Sequence, residues 1–184
     1  MAKSNNDIRK TFIQKRDSLS KAYIEEHSLI IKDKLTSLDV YDKANNILLY
    51  AAYKSEVLTL PIFEDAIKRG KDVYFPLVEG EKMHFIKVSE YVSLKEGYKG
   101  ILEPEYNPLL LYEDSTCASV SDVIIVPGTC FSPSGARMGY GKGYYDRFLS
   151  NNKLIKIGIC FDIQLTNDII QKEHDVKMDI MING

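Results

Sequence analysis

The chain has 184 residues, and its 24 basic and 26 acidic side chains leave a formal net charge of -2. No global field therefore draws it to nucleic acid or to an anionic membrane, and an anionic ligand has to be captured by a local patch. Three cysteines (Cys117, Cys130 and Cys160), three histidines and no C-x-x-C pair exclude a disulfide framework and a structural zinc site, and predict reduced thiols packed as small apolar groups.

The opening residues MAKSNNDIRK lack the apolar core of a secretory signal, and no window approaches about eighteen uninterrupted apolar residues. A cytoplasmic chain with no membrane partner is expected, in one domain over 1–184 that buries roughly 70% of its extended surface without staples. Ile8, Phe12, Ile13 and Leu19 predict a first amphipathic helix, and Ile24, Ile31, Leu35 and Leu38 a second, with Ser20 as the N-cap between them. Ile47–Tyr53 predicts an apolar strand, followed by a loop carrying Lys54, Ser55 and Glu56. Thr59 then opens a helix through Lys68, with Pro61 tolerated in its first turn and Gly70 ending it. Val73–Val78 is the next predicted strand. Glu79–Lys82 predicts a turn before a short strand over Met83–Val88, a charged and glycine-punctuated excursion runs to Asn107, and Asp114–Ser121 is a polar connector. Val123–Val126 predicts a buried strand, Tyr144 opens a short helix, Leu154–Phe161 is another buried strand, and alternation over His174–Ile182 predicts a last one. His174 is expected to be a partly exposed polar residue rather than a ligand. This strand-helix-strand rhythm predicts a parallel α/β sheet with its ligands at the carboxyl ends of the strands, where Glu56 and the residues after Val126 both fall.

After Pro127-Gly128 the chain runs FSPSGARMGYGKGYYDRFL from Phe131, with Gly135, Gly139, Gly141 and Gly143 nearly alternating with Arg137 and Lys142. Glycines at that density suggest close backbone approach or positive φ, and the two cations make phosphate the natural candidate ligand. Both familiar phosphate signatures fail. A P-loop counted back from Gly141-Lys142 meets Ala136 instead of its first glycine and Gly143 instead of its hydroxyl residue, and a G-x-G-x-x-G from Gly139 ends on Tyr144.

Val126-Pro127-Gly128, Phe131, Gly135-x-Arg137 and Gly139-x-Gly141-Lys142-Gly143-Tyr144-Tyr145-Asp146 closely resemble the signature of the 5-formyltetrahydrofolate cyclo-ligase family. The resemblance implies a three-layer α/β sandwich with a mostly parallel central sheet, similar to the sugar-isomerase and coenzyme A transferase group. It implies ATP-driven, magnesium-dependent closure of 5-formyltetrahydrofolate to 5,10-methenyltetrahydrofolate, with release of ADP and phosphate. The residues from Arg137 to Tyr145, namely Arg137, Met138, Gly139, Tyr140, Gly141, Lys142, Gly143, Tyr144 and Tyr145, would face ATP, and the overlapping run Tyr140–Tyr144 would face folate together with Ala51 and Glu56. Arg137 and Lys142 would neutralise phosphate charge during transfer. Asp146 and Asp179 would hold magnesium. Near the start, the family's Lys-x-x-x-Arg pattern falls on Asn5 and Arg9, with a later arginine at Arg16, so Arg9 and the nearby Lys3 would serve ATP. Gly100-Ile101-x-Glu103-Pro104 resembles a family feature packed near the substrate. A monomer acting on two small molecules is expected.

That chemistry suits the composition of the stretch. A formamide oxygen is a poor leaving group, so phosphorylating it prepares the carbon for attack by the second nitrogen; phosphoryl transfer asks for alignment and charge neutralisation rather than a protein nucleophile. No Ser-His-Asp or Cys-His set is evident. The residues alone leave room for another small-molecule phosphotransferase using the same cradle, for a non-catalytic nucleotide or folate sensor, and more distantly for a nucleic-acid-binding module.

Overall fold

The computed structural model describes residues 4–113 and 122–184; Lys3, Cys117 and the connector Asp114–Ser121 lie outside the described residues. The chain opens with α1 (Asn5–Asp17) and α2 (Lys21–Thr36), separated as the sequence predicts at Ser20, whose side chain accepts from Tyr23 N–H. Ser4 caps α1 in a reciprocal box with Asp7, which satisfies donors that the first turn would leave orphaned. Then follow α3 (Asp39–Lys43), β1 (Asn46–Leu48), α4 (Leu60–Lys68), β2 (Asp72–Glu79) and β3 (Lys82–Lys87). A small hairpin, β4 (Lys95–Glu96) with β5 (Leu102–Glu103), precedes β6 (Val123–Val126). The hairpin β7 (Cys130–Phe131) with β8 (Arg137–Met138) leads into α5 (Tyr144–Ser150), β9 (Ile155–Cys160) and β10 (Ile180–Asn183).

Six strands form the main sheet in the order β10-β9-β6-β1-β2-β3, parallel throughout except for the β2–β3 hairpin. All four residues of β6 are buried, as befits a strand covered on both faces. Its side chains alternate, so that Val123 and Ile125 join one core with Ile31, Leu35, Ile62 and Phe63, while Ile124 and Val126 join another with Phe85, Leu149 and Leu154. Helices α2, α3 and α4 cover the first face and α5 the second. The order explains the layering: from β1 the chain crosses through α4 to β2 in one direction, and from β6 through α5 to β9 in the other, so crossovers of one hand put their helices on opposite faces. Each fully buried Ile, Leu or Phe in these layers contributes roughly 1.5–3 kcal/mol. Helix α1 stands apart, packing Ile8 and Phe12 on Cys130 and Met138 of the β7–β8 hairpin.

The strand predicted over Ile47–Tyr53 is shorter, ending at Leu48. Leu49 N–H still donates to Tyr74, but the Tyr50 carbonyl is taken by the Thr59 hydroxyl at 2.6 Å, so the chain peels off the sheet and Tyr50 and Ala51 become wall instead of ladder. Cys130 and Cys160 are buried free thiols, and burial pushes them up to about 11 and about 12, as expected of packing groups with no chemistry. Among the described residues no helix is long and apolar enough to cross a membrane.

Candidate active site

The strand order reverses between β1 and β6, and the carboxyl ends of these two neighbours open into a cavity of about 670 Å³. A crevice at such a switch point is where open α/β sheets bind ligands. Tyr50 and Ala51 follow β1 into its wall, Pro127 follows β6, and Pro76 and Val78 come from β2.

The glycine-rich loop supplies the cationic side. Arg137 on β8 is 8% exposed; one guanidinium nitrogen pairs with Asp146 at 2.9 Å, another donates to the Pro127 carbonyl at 3.3 Å, and the group stacks over the Tyr145 ring at 5.6 Å. Its Nε–H is buried with no partner among the described residues, a deficit of about 1–3 kcal/mol that an arriving anion could relieve. Arg9 reaches in from α1, donating through Nε to the Gly139 carbonyl at 2.8 Å and lying beside Gly141, whose φ is +91°. A Cβ on Gly139 would come within 2.7 Å of the Arg137 guanidinium, so glycine there admits the arginine. Lys142 is exposed on the rim, and its ammonium has no partner among the described residues. Gly143, at φ +69°, turns the chain into α5, whose start is latched to the β2–β3 turn by the Tyr144 hydroxyl on the Gly80 carbonyl and by Arg147 on the Glu81 carbonyl.

The opposite wall is built around a buried charge. Glu56 is 6% exposed; Oε2 accepts from Tyr53 N–H at 3.0 Å and Oε1 from the Tyr140 hydroxyl at 3.1 Å, with Arg16 at 3.7 Å. Burial raises its carboxyl above the ordinary range, while Arg16, Tyr53 N–H and Tyr140 pull it back. Burial likewise pushes Tyr140 up to about 12, with Glu56 reinforcing and Arg16 opposing. Tyr145 is raised by burial and by Glu56, so its hydroxyl stays neutral over any working pH.

Of the residues that the sequence singles out, Arg9, Ala51, Glu56 and the whole run Arg137–Asp146 line this one cavity. Tyr144 and Tyr145 serve both as cavity wall and as packing for the second core. Two residues that the sequence draws attention to stand away from this wall. Gly135 is absent from the wall: its φ of +87° and its closeness to the Met178 carbonyl, 2.4 Å from a would-be Cβ, show a residue used for the turn and for backbone packing. Asp179 also lies off the cavity. It sits at the start of β10 beside Lys156, paired with that ammonium at 2.7 Å and accepting from its backbone N–H at 2.8 Å, level with the amino ends of the strands. The structure thus does not bring Asp179 to Asp146. Sequence reasoning assigned no role to Arg16, Tyr50, Lys99, Lys172 or Asp175, yet Arg16 is buried behind Glu56 and the others are in the wall. Ile101 and Glu103 also line it, as the resemblance over Gly100–Pro104 implies. His174 lies exposed on the rim.

A mostly parallel α/β sheet whose switch-point cavity is walled by a cationic glycine loop defines a protein with a site suited to an anionic small molecule. The family model described as the 5-formyltetrahydrofolate cyclo-ligase family matches residues 1–184, and the chain belongs to that family of ligases. It is 32% identical to the 5-formyltetrahydrofolate cyclo-ligase of Mycoplasma genitalium, over 97% of this chain and 98% of that protein. It is 29% identical to a probable 5-formyltetrahydrofolate cyclo-ligase of Schizosaccharomyces pombe, over 99% and 96%. Among solved structures, the Aquifex aeolicus 5,10-methenyltetrahydrofolate synthetase superposes with a TM-score of 0.83 at 30% identity, covering 97% of this chain and 89% of that one.

Proposed function

We propose that the chain, as a single cyclo-ligase domain, closes 5-formyltetrahydrofolate to 5,10-methenyltetrahydrofolate at the expense of ATP. The observation that carries this reading is one cavity with two chemically distinct walls: a cationic glycine loop suited to a triphosphate, and a buried carboxylate with tyrosines suited to a flat, amide-bearing ring. The formyl oxygen attacks the γ-phosphoryl group and ADP leaves. The second nitrogen then bonds to the activated carbon, the C–O bond breaks, phosphate departs with the oxygen, and the nitrogen loses its proton. Alignment of the two substrates supplies most of the acceleration, because the loop Gly139–Gly143 forms the cationic wall and reaches the other through Tyr140.

Arg137, Lys142 and Arg9 would neutralise the phosphates. Arg137 is already desolvated and offers an unpartnered N–H, whereas Lys142 reaches from the rim as a mobile point charge. Glu56 and Tyr140 would hold the pteridine ring by hydrogen bonds, with Ala51 giving it room. For magnesium, Asp146 fits: its carboxylate lines the cavity, and beyond the Arg137 pair its Oδ1 receives, among the described residues, only a 3.4 Å contact from Val176 N–H. One carboxylate plus phosphate oxygens and water is an ordinary magnesium set, and the ion would supply charge neutralisation at the β- and γ-phosphates. With Asp179 held by Lys156, the metal assignment rests on Asp146.

The test is an absorbance assay with ATP, magnesium and 5-formyltetrahydrofolate, repeated without nucleotide. A near-ultraviolet rise that requires ATP is expected; equal turnover without ATP, or none with it, rejects the reading.

A further inference from the structure

We infer that Arg16 is a positioning residue, which aims Glu56 and Tyr140 at the folate ring without touching substrate itself; the inference rests on the reading that those two residues hold that ring. Arg16 lies in the last turn of α1, where a cation would ordinarily point to water, yet it is 2% exposed and among the largest fully enclosed side chains of the fold. Its donors go to three separate segments. Nε donates to Ser55 Oγ at 3.1 Å, Nη1 to the Gly128 carbonyl at 3.4 Å, and Nη2 to the Tyr140 hydroxyl at 2.7 Å. Ser55 in turn donates to Asp17, the next residue of the same helix. One guanidinium thus ties α1, the loop after β1, the turn after β6 and the glycine loop together behind Glu56.

The direction of the hydrogen bonds matters more than their number. Because the Tyr140 oxygen accepts from Arg16, its own proton is free to go to Glu56 Oε1, and Tyr53 N–H fixes the other carboxylate oxygen. The carboxylate is therefore held in one orientation from both sides, and Tyr140, half exposed within the glycine loop, is drawn to the folate wall. A lysine ammonium has no planar fork with which to serve three segments at once. Charge matters as well: Arg16 is the cation nearest Glu56, and the other ionisable groups facing that carboxylate are Tyr50, Tyr140 and Tyr145, with Asp17 behind Ser55. Burial raises all three tyrosine hydroxyls, so none titrates near neutrality and Glu56 alone answers to the loss of Arg16.

A staple that merely held α1 in place would lower the melting temperature and leave the kinetics of the surviving folded enzyme unchanged. The experiment measures both substrates' KM values and the pH dependence of kcat/KM for 5-formyltetrahydrofolate in wild type, Arg16→Lys, Arg16→Gln and Tyr140→Phe. Expected are folate KM values about 10-fold higher for Arg16→Lys and about 100-fold higher for Arg16→Gln, as for a misplaced binding group. The KM for ATP should change far less than the folate KM, since Arg16 reaches the glycine loop only through the Tyr140 hydroxyl and not through Arg9, Arg137 or Lys142. The acid limb of kcat/KM should move to higher pH in Arg16→Gln, because the carboxyl loses the cation that holds it down. Tyr140→Phe should also raise the folate KM, and the double variant should lose less than the product of the single losses. Should the Arg16 variants fold poorly, the tyrosine variant decides: a wild-type folate KM there overturns the proposal, as does a folded Arg16→Gln with unaltered folate KM and pH limb. A wild-type enzyme with no ATP-dependent turnover instead sinks the functional reading, and this inference with it.

Discussion

At the Glu56 end of the cavity the polar groups satisfy one another on the chain itself, whereas at the Lys142 end they wait. Tyr140 accepts from Arg16 and donates to Glu56, and the latter two are buried and face each other as an ion pair. Arg137 keeps an unpartnered N–H, Lys142 projects from an exposed loop, and Gly141 and Gly143 stand at positive φ. The difference follows from what each end meets. A rigid ring is recognised by groups fixed beforehand, so that little ordering entropy is lost on binding, and a buried carboxylate tolerates nothing less. A triphosphate carries its own charge and can complete a loop that is left incomplete without it.

The comparison breaks most visibly at Lys142. Lys142→Ala should cut kcat/KM by about 10³-fold, the scale of one lost charge-stabilising donor in phosphoryl transfer, while melting within a degree or two of wild type because the side chain is exposed. Steady-state kinetics beside a thermal melt would check it; near-normal turnover would remove Lys142 from the phosphate wall.

At the finished end the loss should appear in stability. Glu56→Gln turns an amide NH2 toward one of two donors, Tyr53 N–H or the Tyr140 hydroxyl, at a cost of about 2 kcal/mol. Its pH dependence has a definite sign. Burial raises the Glu56 carboxyl above its ordinary 4.5, so the folded chain binds this proton more tightly than the unfolded one. Between the ordinary and the raised value, wild-type stability therefore falls as pH rises, and above the raised value this contribution is flat. Denaturant titrations of both proteins from acid to neutral pH should show the wild-type advantage over Glu56→Gln shrinking with pH; an advantage that grows would mean that Arg16 outweighs burial.

The two ends also differ in how far the sequence disclosed them. The glycine loop was legible because its signal is local: alternating glycines and cations after an apolar strand need only neighbours in the chain. The split of α1 from α2 at Ser20 and the buried strand Val123–Val126 were legible for the same reason. Arg16 was not, since its partners Ser55, Gly128 and Tyr140 lie 39, 112 and 124 residues away and its position looks like any solvated helix charge. The wall residues Lys99 to Glu103 come from the stretch with the weakest periodicity. Asp179 carried a role that only its neighbours in space could test, and those neighbours turned out to be Lys156 and the amino ends of the strands.

Glycines separate by the same logic. Gly135→Ala places a Cβ against the Met178 backbone at positive φ, where neither atom can yield, and should cost at least about 2 kcal/mol, or roughly 5 °C in Tm, with little change in the KM of the folded fraction. Gly141→Ala meets only the far end of Arg9 and should cost about half as much stability, yet raise the KM for ATP because the loop loses its freedom to close on phosphate. Reversal of the two outcomes would put Gly135 in the phosphate wall.

The smallest expected effect is the most discriminating, because it concerns two carboxylates that each pair with a cation but stand at opposite ends of the strands. Asp179→Asn loses a half-exposed ion pair with Lys156, worth about 0.5 kcal/mol, and its remaining amide oxygen can still accept from the Lys156 N–H. Magnesium affinity, measured by titrating the ion into enzyme with a non-hydrolysable ATP analogue, should stay within about twofold, since the residue stands at the wrong end of the strands. Asp146→Asn should weaken the same titration about tenfold, and also loosen Arg137 by removing its counter-charge. Equal losses in the two variants would mean that both carboxylates reach the ion, which requires the start of β10 to leave Lys156 and move toward the cavity when nucleotide binds.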